Sequence, residues 1–204
     1  MKKIFKTAVA IILTLALILG LTGCGEEKKA EKSVNNMFKA FQKLDFETAK
    51  NYVNLDDIKV SESEDSVTGN AEMFMKTLFG KLDYKILSSE KTDNNTVMVK
   101  TQITAIDMKP VMGEFFTNAM QYAFSNAFAD PQLSEEETNK KMEEMFIESA
   151  TKPDLATVTN EVNIKVVKAD KTWKISADDT FTNALLGGLM DVVKDMENSF
   201  NNAQ

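Results

Sequence analysis

The chain has 204 residues, of which 43 % are apolar, and carries 24 basic against 31 acidic side chains. That is room for one domain with its own core, and too apolar a chain to stay unfolded throughout. Every basic residue is lysine, and neither arginine nor histidine occurs. The bidentate phosphate grip and the commonest general base and metal ligand are therefore missing, and the acidic balance repels nucleic acid.

The first residues divide into three parts. Lys2, Lys3 and Lys6 are positive, and Ala8 to Leu19 is an uncharged, mostly apolar run. At well under the ~20 residues that a spanning helix needs, this run suits a cleavable export signal. Leu21-Thr22-Gly23-Cys24 follows at once. It resembles the lipobox of bacterial lipoprotein precursors, where an aliphatic and two small residues precede a lipidated cysteine. The resemblance implies cleavage between Gly23 and Cys24, and acylation of the Cys24 thiol. Cys24 is the single cysteine of the chain, which leaves no internal disulfide and no cysteine-based zinc site. On this reading residues 1–23 are a signal peptide and residues 24–32 a polar, lipid-anchored tether. The protein then sits on the extracytoplasmic face of the cell membrane, with the bilayer as its first partner.

Residues 33–204 read as one α+β domain. Val34, Met37, Phe38, Phe41 and Leu44 recur at helical spacing and predict a helix from about Glu31 to Lys43. Asp45 can cap a short second helix, Phe46 to Val53, and Asn70 a third. The acidic stretch 54–69 between them reads as a loop. The period then changes to two. Tyr84 and Ile86 lead to the turn Thr92–Asn95, and Val97, Val99, Thr101, Ile103 and Ala105 alternate with polar neighbours, which predicts a hairpin. A second hairpin has Val158, Asn160, Val162, Ile164 and Val166 on one face and closes with Trp173 and Ile175.

Residues 109–152, between the hairpins, read as a helical insertion. Pro110 opens it. Met112, Phe115, Phe116, Ala119, Met120, Ala123 and Ala127 form a stripe that Tyr122, Phe124 and Phe128 widen. Ser134 followed by Glu135, Glu136 and Glu137 predicts a capping box on a second helix. A last helix spans 180–200, weakened by Gly187-Gly188. Helices first and antiparallel hairpins after them give an α+β class: N-terminal helices packed on a curved, cone-like antiparallel sheet, with a helical insertion and a C-terminal helix.

Two segments, Ser33–Asn54 and Val162–Asp178 with its Trp173-Lys174-Ile175, resemble the nuclear transport factor two-like (cystatin-like cone) fold, as carried by lipoproteins of low-GC Gram-positive bacteria. The resemblance implies a curved sheet wrapped around N-terminal helices, which in this fold usually leaves a pocket open. The insertion and the last helix lie outside that simple pattern and are placed to fill or cover such a pocket.

No arrangement of catalytic or metal-ligating residues emerges. The acidic clusters Asp56-Asp57, Glu62–Asp65, Glu135–Glu137 and Glu143-Glu144 lack the alternation around glycine of a calcium loop and read as solvated faces. Asp107 ends a strand, either as a polar terminus or at a pocket mouth. Twelve Met and thirteen Phe suit either a plain core or an adaptable apolar groove; Phe115 and Phe116 are expected in the core. The expected function is a non-catalytic module without metal or cofactor that binds an apolar small ligand or a protein partner. The alternative is a structural or regulatory cell-envelope protein acting through protein contacts. No individual ligand-binding residue is assignable.

Overall fold

A computed structural model describes residues 25–54, Ile58, 69–128, 134–169 and 171–201. The leader and Cys24 lie outside these residues, as do most of the acidic stretch 54–69 and its Asp56-Asp57 and Glu62–Asp65 clusters. Helix α1 runs over Gly25–Gln42. Residues 25–32 are thus not a tether but the first turns of a core helix. Ala30 is already fully buried, and Glu26 is held by Lys91 and Lys168, at 2.6 and 3.1 Å. These are long-range contacts that a polar GEEKK run does not reveal. Asp45 caps helix α2, Phe46–Ala49, through the Thr48 N–H. That helix is one turn long, shorter than expected, and the chain then adds a backbone hydrogen bond from Ile175 N–H to Tyr52 C=O. Ile58, from the segment read as a polar loop, is buried. Helix α3 spans Gly69–Gly80, so Asn70 lies inside it and does not cap it.

Four strands form one antiparallel sheet in sequence order: β1 Asp83–Asp93, β2 Thr96–Ile106, β3 Thr157–Ala169 and β4 Thr172–Ser176. The period-two pattern places one face inward. Val97, Val99, Thr101, Ile103 and Ala105 of β2 are fully buried, as are Ile164 and Val166 of β3. The opposite face meets water, with a Lys100–Glu161 ion pair and a Thr104–Thr159 hydroxyl contact. This is the one-sided burial open to an antiparallel sheet. The sheet is curved and open, with register shifts in β1 after Ile86 and after Lys91.

Helix α1 lies along β1 in the opposite direction. Glu26 meets Lys91, Glu31 meets Ser89, Asn35 meets Tyr84, and Gln42 reaches the Leu82 carbonyl. The space between helix and sheet is filled by aromatic rings. Phe38 stacks on Tyr84 at 4.3 Å and meets Phe181 edge-on at 6.4 Å, while Phe41 stacks on Phe79 at 5.1 Å. Such pairs add to the burial energy of each ring.

The insertion comprises α4, Met108–Ala127, and α5, Glu135–Ala150. Asp107 caps α4 through the Lys109 N–H, so the helix begins two residues before Pro110. The Ser134–Glu137 capping box forms in both directions. The expected single C-terminal helix is two: α6, Asp179–Leu185, capped by Asp178, and α7, Leu189–Asn201. Gly187 and Gly188 break it, with φ of 61° and 85°, values that glycine alone adopts freely. Helix α6 lies over β2 and β3, and its Phe181, Ala184 and Leu185 enter the core.

Candidate functional site

Among the described residues, Phe38, Phe41, Phe79 and Phe181 fill the space between the helices and the inner face of the sheet. The open space is elsewhere. At the end where β2 stops and β3 starts, the chain turns outward twice. Asp107 N–H bonds the Ala156 carbonyl and Met108 N–H bonds the Gly187 carbonyl, both at 2.9 Å. From this knot α4 and α7 emerge side by side, and a groove of about 880 Å³ lies between them. That is the size of a small-molecule site.

Each wall follows from its sequence. Gly113, Phe116, Ala119 and Met120 recur along one face of α4, and Val192 and Met196 along one face of α7. Val158 and Asn160 of β3 form part of the lining together with the Gly187-Gly188 turn. At Gly187 a Cβ would sit 1.7 Å from the Ile106 carbonyl oxygen, so the turn seats directly on the end of β2. Asn183 and Asp191 bond each other across this turn. Asn183 Nδ2 donates to the Asp191 carboxylate at 2.6 Å, and Asp191 N–H donates to Asn183 Oδ1 at 3.2 Å. The two bonds fix α7 relative to α6. On the far side of α4, Phe115 meets Phe146 of α5 edge-on at 5.6 Å. Lys152 pairs with Glu114, and the Glu114 carboxylate raises the Lys152 ammonium above its ordinary value.

The groove has an apolar interior and a charged rim. Asp107, Asp191 and Asp195 line it, with Lys109 as the one basic residue among its lining. Toward the end of α4 its apolar stripe is uncovered: Met120 at the groove edge, Phe124 beyond it and Phe128 just after the helix are 63, 66 and 86 % exposed. Phe115 and Phe116, expected in the core, are half-buried and pack against it from one side.

Asp107 therefore has both of its anticipated places, ending a strand and standing at a pocket mouth, and its carboxylate caps α4. Trp173 is buried in the sheet, with Lys168 5.9 Å above its ring. The acids of the first turn of α5 are exposed, and Ser134 holds the Glu137 carboxyl below its ordinary value by hydrogen bonding. Among the described residues no three acidic, histidine or cysteine side chains converge as metal ligands. Among the same residues no helix is long and apolar enough to cross a membrane. Val192 and Met196 stand four residues apart, the spacing of one helix face, but that this face borders a cleft is not legible in the sequence, because the cleft depends on the angle of the Gly187 turn.

No protein-family model matches the chain, and no curated protein matches it either. Among solved structures, the crystal structure of ycdA, a candidate lipoprotein of Bacillus subtilis, is similar over 78 % of this chain at 17 % identity, with a TM-score of 0.43. The match takes in 46 % of that protein, so this chain spans about half its length.

Proposed function

We propose that this chain is a non-catalytic binding module, lipid-anchored through Cys24 on the extracytoplasmic face of the cell membrane, and that the α4–α7 groove is its site. One observation carries the binding part: an open groove of about 880 Å³ walled by Phe116, Ala119, Met120, Val192 and Met196. Apolar walls exclude water, and flexible thioethers let the walls adapt to an apolar guest. The anchoring part rests on the Leu21–Cys24 motif behind the Ala8–Leu19 run. Two acyl chains hold a protein stably, since each buried methylene contributes ~0.8 kcal/mol. The guest is an apolar small ligand or the apolar side chains of a protein partner. The exposed Phe124 and Phe128 beyond the groove favour the protein partner as a second reading, because contiguous exposed apolar surface marks interaction sites.

The neutral fluorescent probe N-phenylnaphthylamine tests the site. Wild-type protein is expected to enhance its emission saturably. Met120→Glu combined with Met196→Glu is expected to weaken binding about tenfold or more, which is about 1.4 kcal/mol, at an unchanged melting temperature. No enhancement by wild type, or equal binding by the double variant, would overturn the reading. Metabolic labelling with a fatty-acid analogue tests the anchor: wild type takes up label, and Cys24→Ala does not.

A further inference from the structure

Gly25, the first residue of α1, follows Cys24 directly, and consecutive Cα atoms stand 3.8 Å apart. Cys24 is thus joined to the start of α1 with no intervening residue. Glu26 locates that helix end on the sheet: its carboxylate is held by Lys91 and Lys168, and both lysines lie beside hairpin turns. Lys91 precedes the Asn94-Asn95 turn, and Lys168 precedes the turn from β3 to β4, its N–H bonding the Asn95 carbonyl. Both turns and the start of α1 therefore share one end of the molecule. Strands β2 and β3 run from that end to the groove. Over Thr96–Ile106 an extended chain covers about 33 Å.

At the turn end Lys91 and Lys168 pair with Glu26, and the exposed Lys28, Lys29 and Lys171 share that end with Glu90 and Asp93; at the other end three acids, Asp107, Asp191 and Asp195, line the groove with one lysine, Lys109. An anionic bilayer attracts juxtamembrane lysines and repels the acidic end.

We infer that the end formed by the start of α1 and the two hairpin turns rests on an anionic phospholipid surface, and that the groove is held about 30 Å away from it, open to the aqueous phase. This inference rests on the acylation of Cys24 proposed above. Its consequence for the site is that a guest reaches the groove from the water side and not by lateral movement from the bilayer.

The mature protein, purified from membranes in acylated form and placed in vesicles of phosphatidylcholine with a minority of phosphatidylglycerol, tests it. Acylation occupies Cys24, so one added cysteine takes a fluorophore. Asn94→Cys marks the hairpin turn, and Asp154→Cys marks the exposed approach to β3 at the groove end. A short-range quencher on lipid headgroups is expected to quench the label at 94 strongly and the label at 154 little. Equal quenching at both sites, or the reverse order, would overturn the orientation while leaving the anchor and groove readings intact. Protein whose intact mass shows no acyl chains would overturn the anchor reading and this inference with it. Loss of probe binding by soluble protein concerns the groove alone.

Discussion

Phenylalanine and methionine have two fates in this protein. Between α1 and the sheet, Phe38, Phe41, Phe79 and Phe181 are sealed, ring against ring. Along α4 the same residue types pass from half-buried at Phe115 and Phe116 to open at Met120, Phe124 and Phe128. Composition and helical spacing are alike in the two regions. What differs is enclosure: among the described residues α1 packs against three strands and two helices, whereas α4 packs chiefly against α5 and α7. A stripe of apolar residues becomes core when neighbouring elements enclose it, and the wall of an open groove when they stop short.

The contrast can be broken most severely at the joint between the regions. Gly187→Ala places a methyl group on the Ile106 carbonyl at a φ disfavoured for any side chain. A stability loss above ~4 kcal/mol is expected from urea melts, a large part of the ~5–15 kcal/mol that holds a typical domain. Gly188→Ala has open space around its Cβ and is expected to cost only the backbone term, ~1–2 kcal/mol. Within the sealed region, Phe38→Ala is expected to lose ~3–5 kcal/mol. Phe116→Ala, half-buried at the groove, is expected to lose about half as much in the same melts, and also to weaken the fluorescent probe. A Phe116→Ala loss equal to that of Phe38→Ala would erase the distinction.

Two smaller effects sharpen it. Lys91 and Lys168 hold the Glu26 carboxyl below its ordinary value of 4.5 by hydrogen bonding. A carboxylate with a depressed folded-state value contributes stability above its unfolded value, and loses it as pH falls through the folded one. Wild type is therefore expected to melt slightly above Glu26→Gln at neutral pH, with the difference fading below about pH 4.5. A difference that persists in strong acid would show that the contact acts other than through charge. Phe124→Ser is expected to shift the melt by less than ~0.5 kcal/mol, as an exposed substitution does.

The parts of the fold that repeat were legible in the sequence. Alternation at Val97–Ala105 and Val162–Val166 gave both hairpins, because one face of an antiparallel sheet is buried and the other wet. Asp45, Ser134 and Asp178 mark helix starts by chemistry local to a few residues, and two of those starts, Asp45 and Ser134, were read as caps beforehand. What failed depended on distant partners. The GEEKK run looked like a tether because the lysines that hold Glu26 lie 65 and 142 residues away. The last helix looked continuous because nothing near Gly187 reveals the Ile106 carbonyl against which it turns. The groove was hidden for the same reason. Phe116, Ala119 and Met120 of its lining were visible as a helix stripe, but the space between two helices is a property of the joint that aims them.

The Asn183–Asp191 bridge across the Gly187-Gly188 turn separates the part of the C-terminal region that builds the core from the part that walls the groove. Helix α6 ends inside the core, and α7 is aimed by the turn and the two hydrogen bonds of that bridge. Substitutions along α7 beyond Asp191 therefore alter the shape and charge of one wall while the sheet side stays as it is. Such a division leaves the groove open to variation: drift in the outer turns of α4 and α7 changes its walls, and the demands of folding fall on a different set of residues.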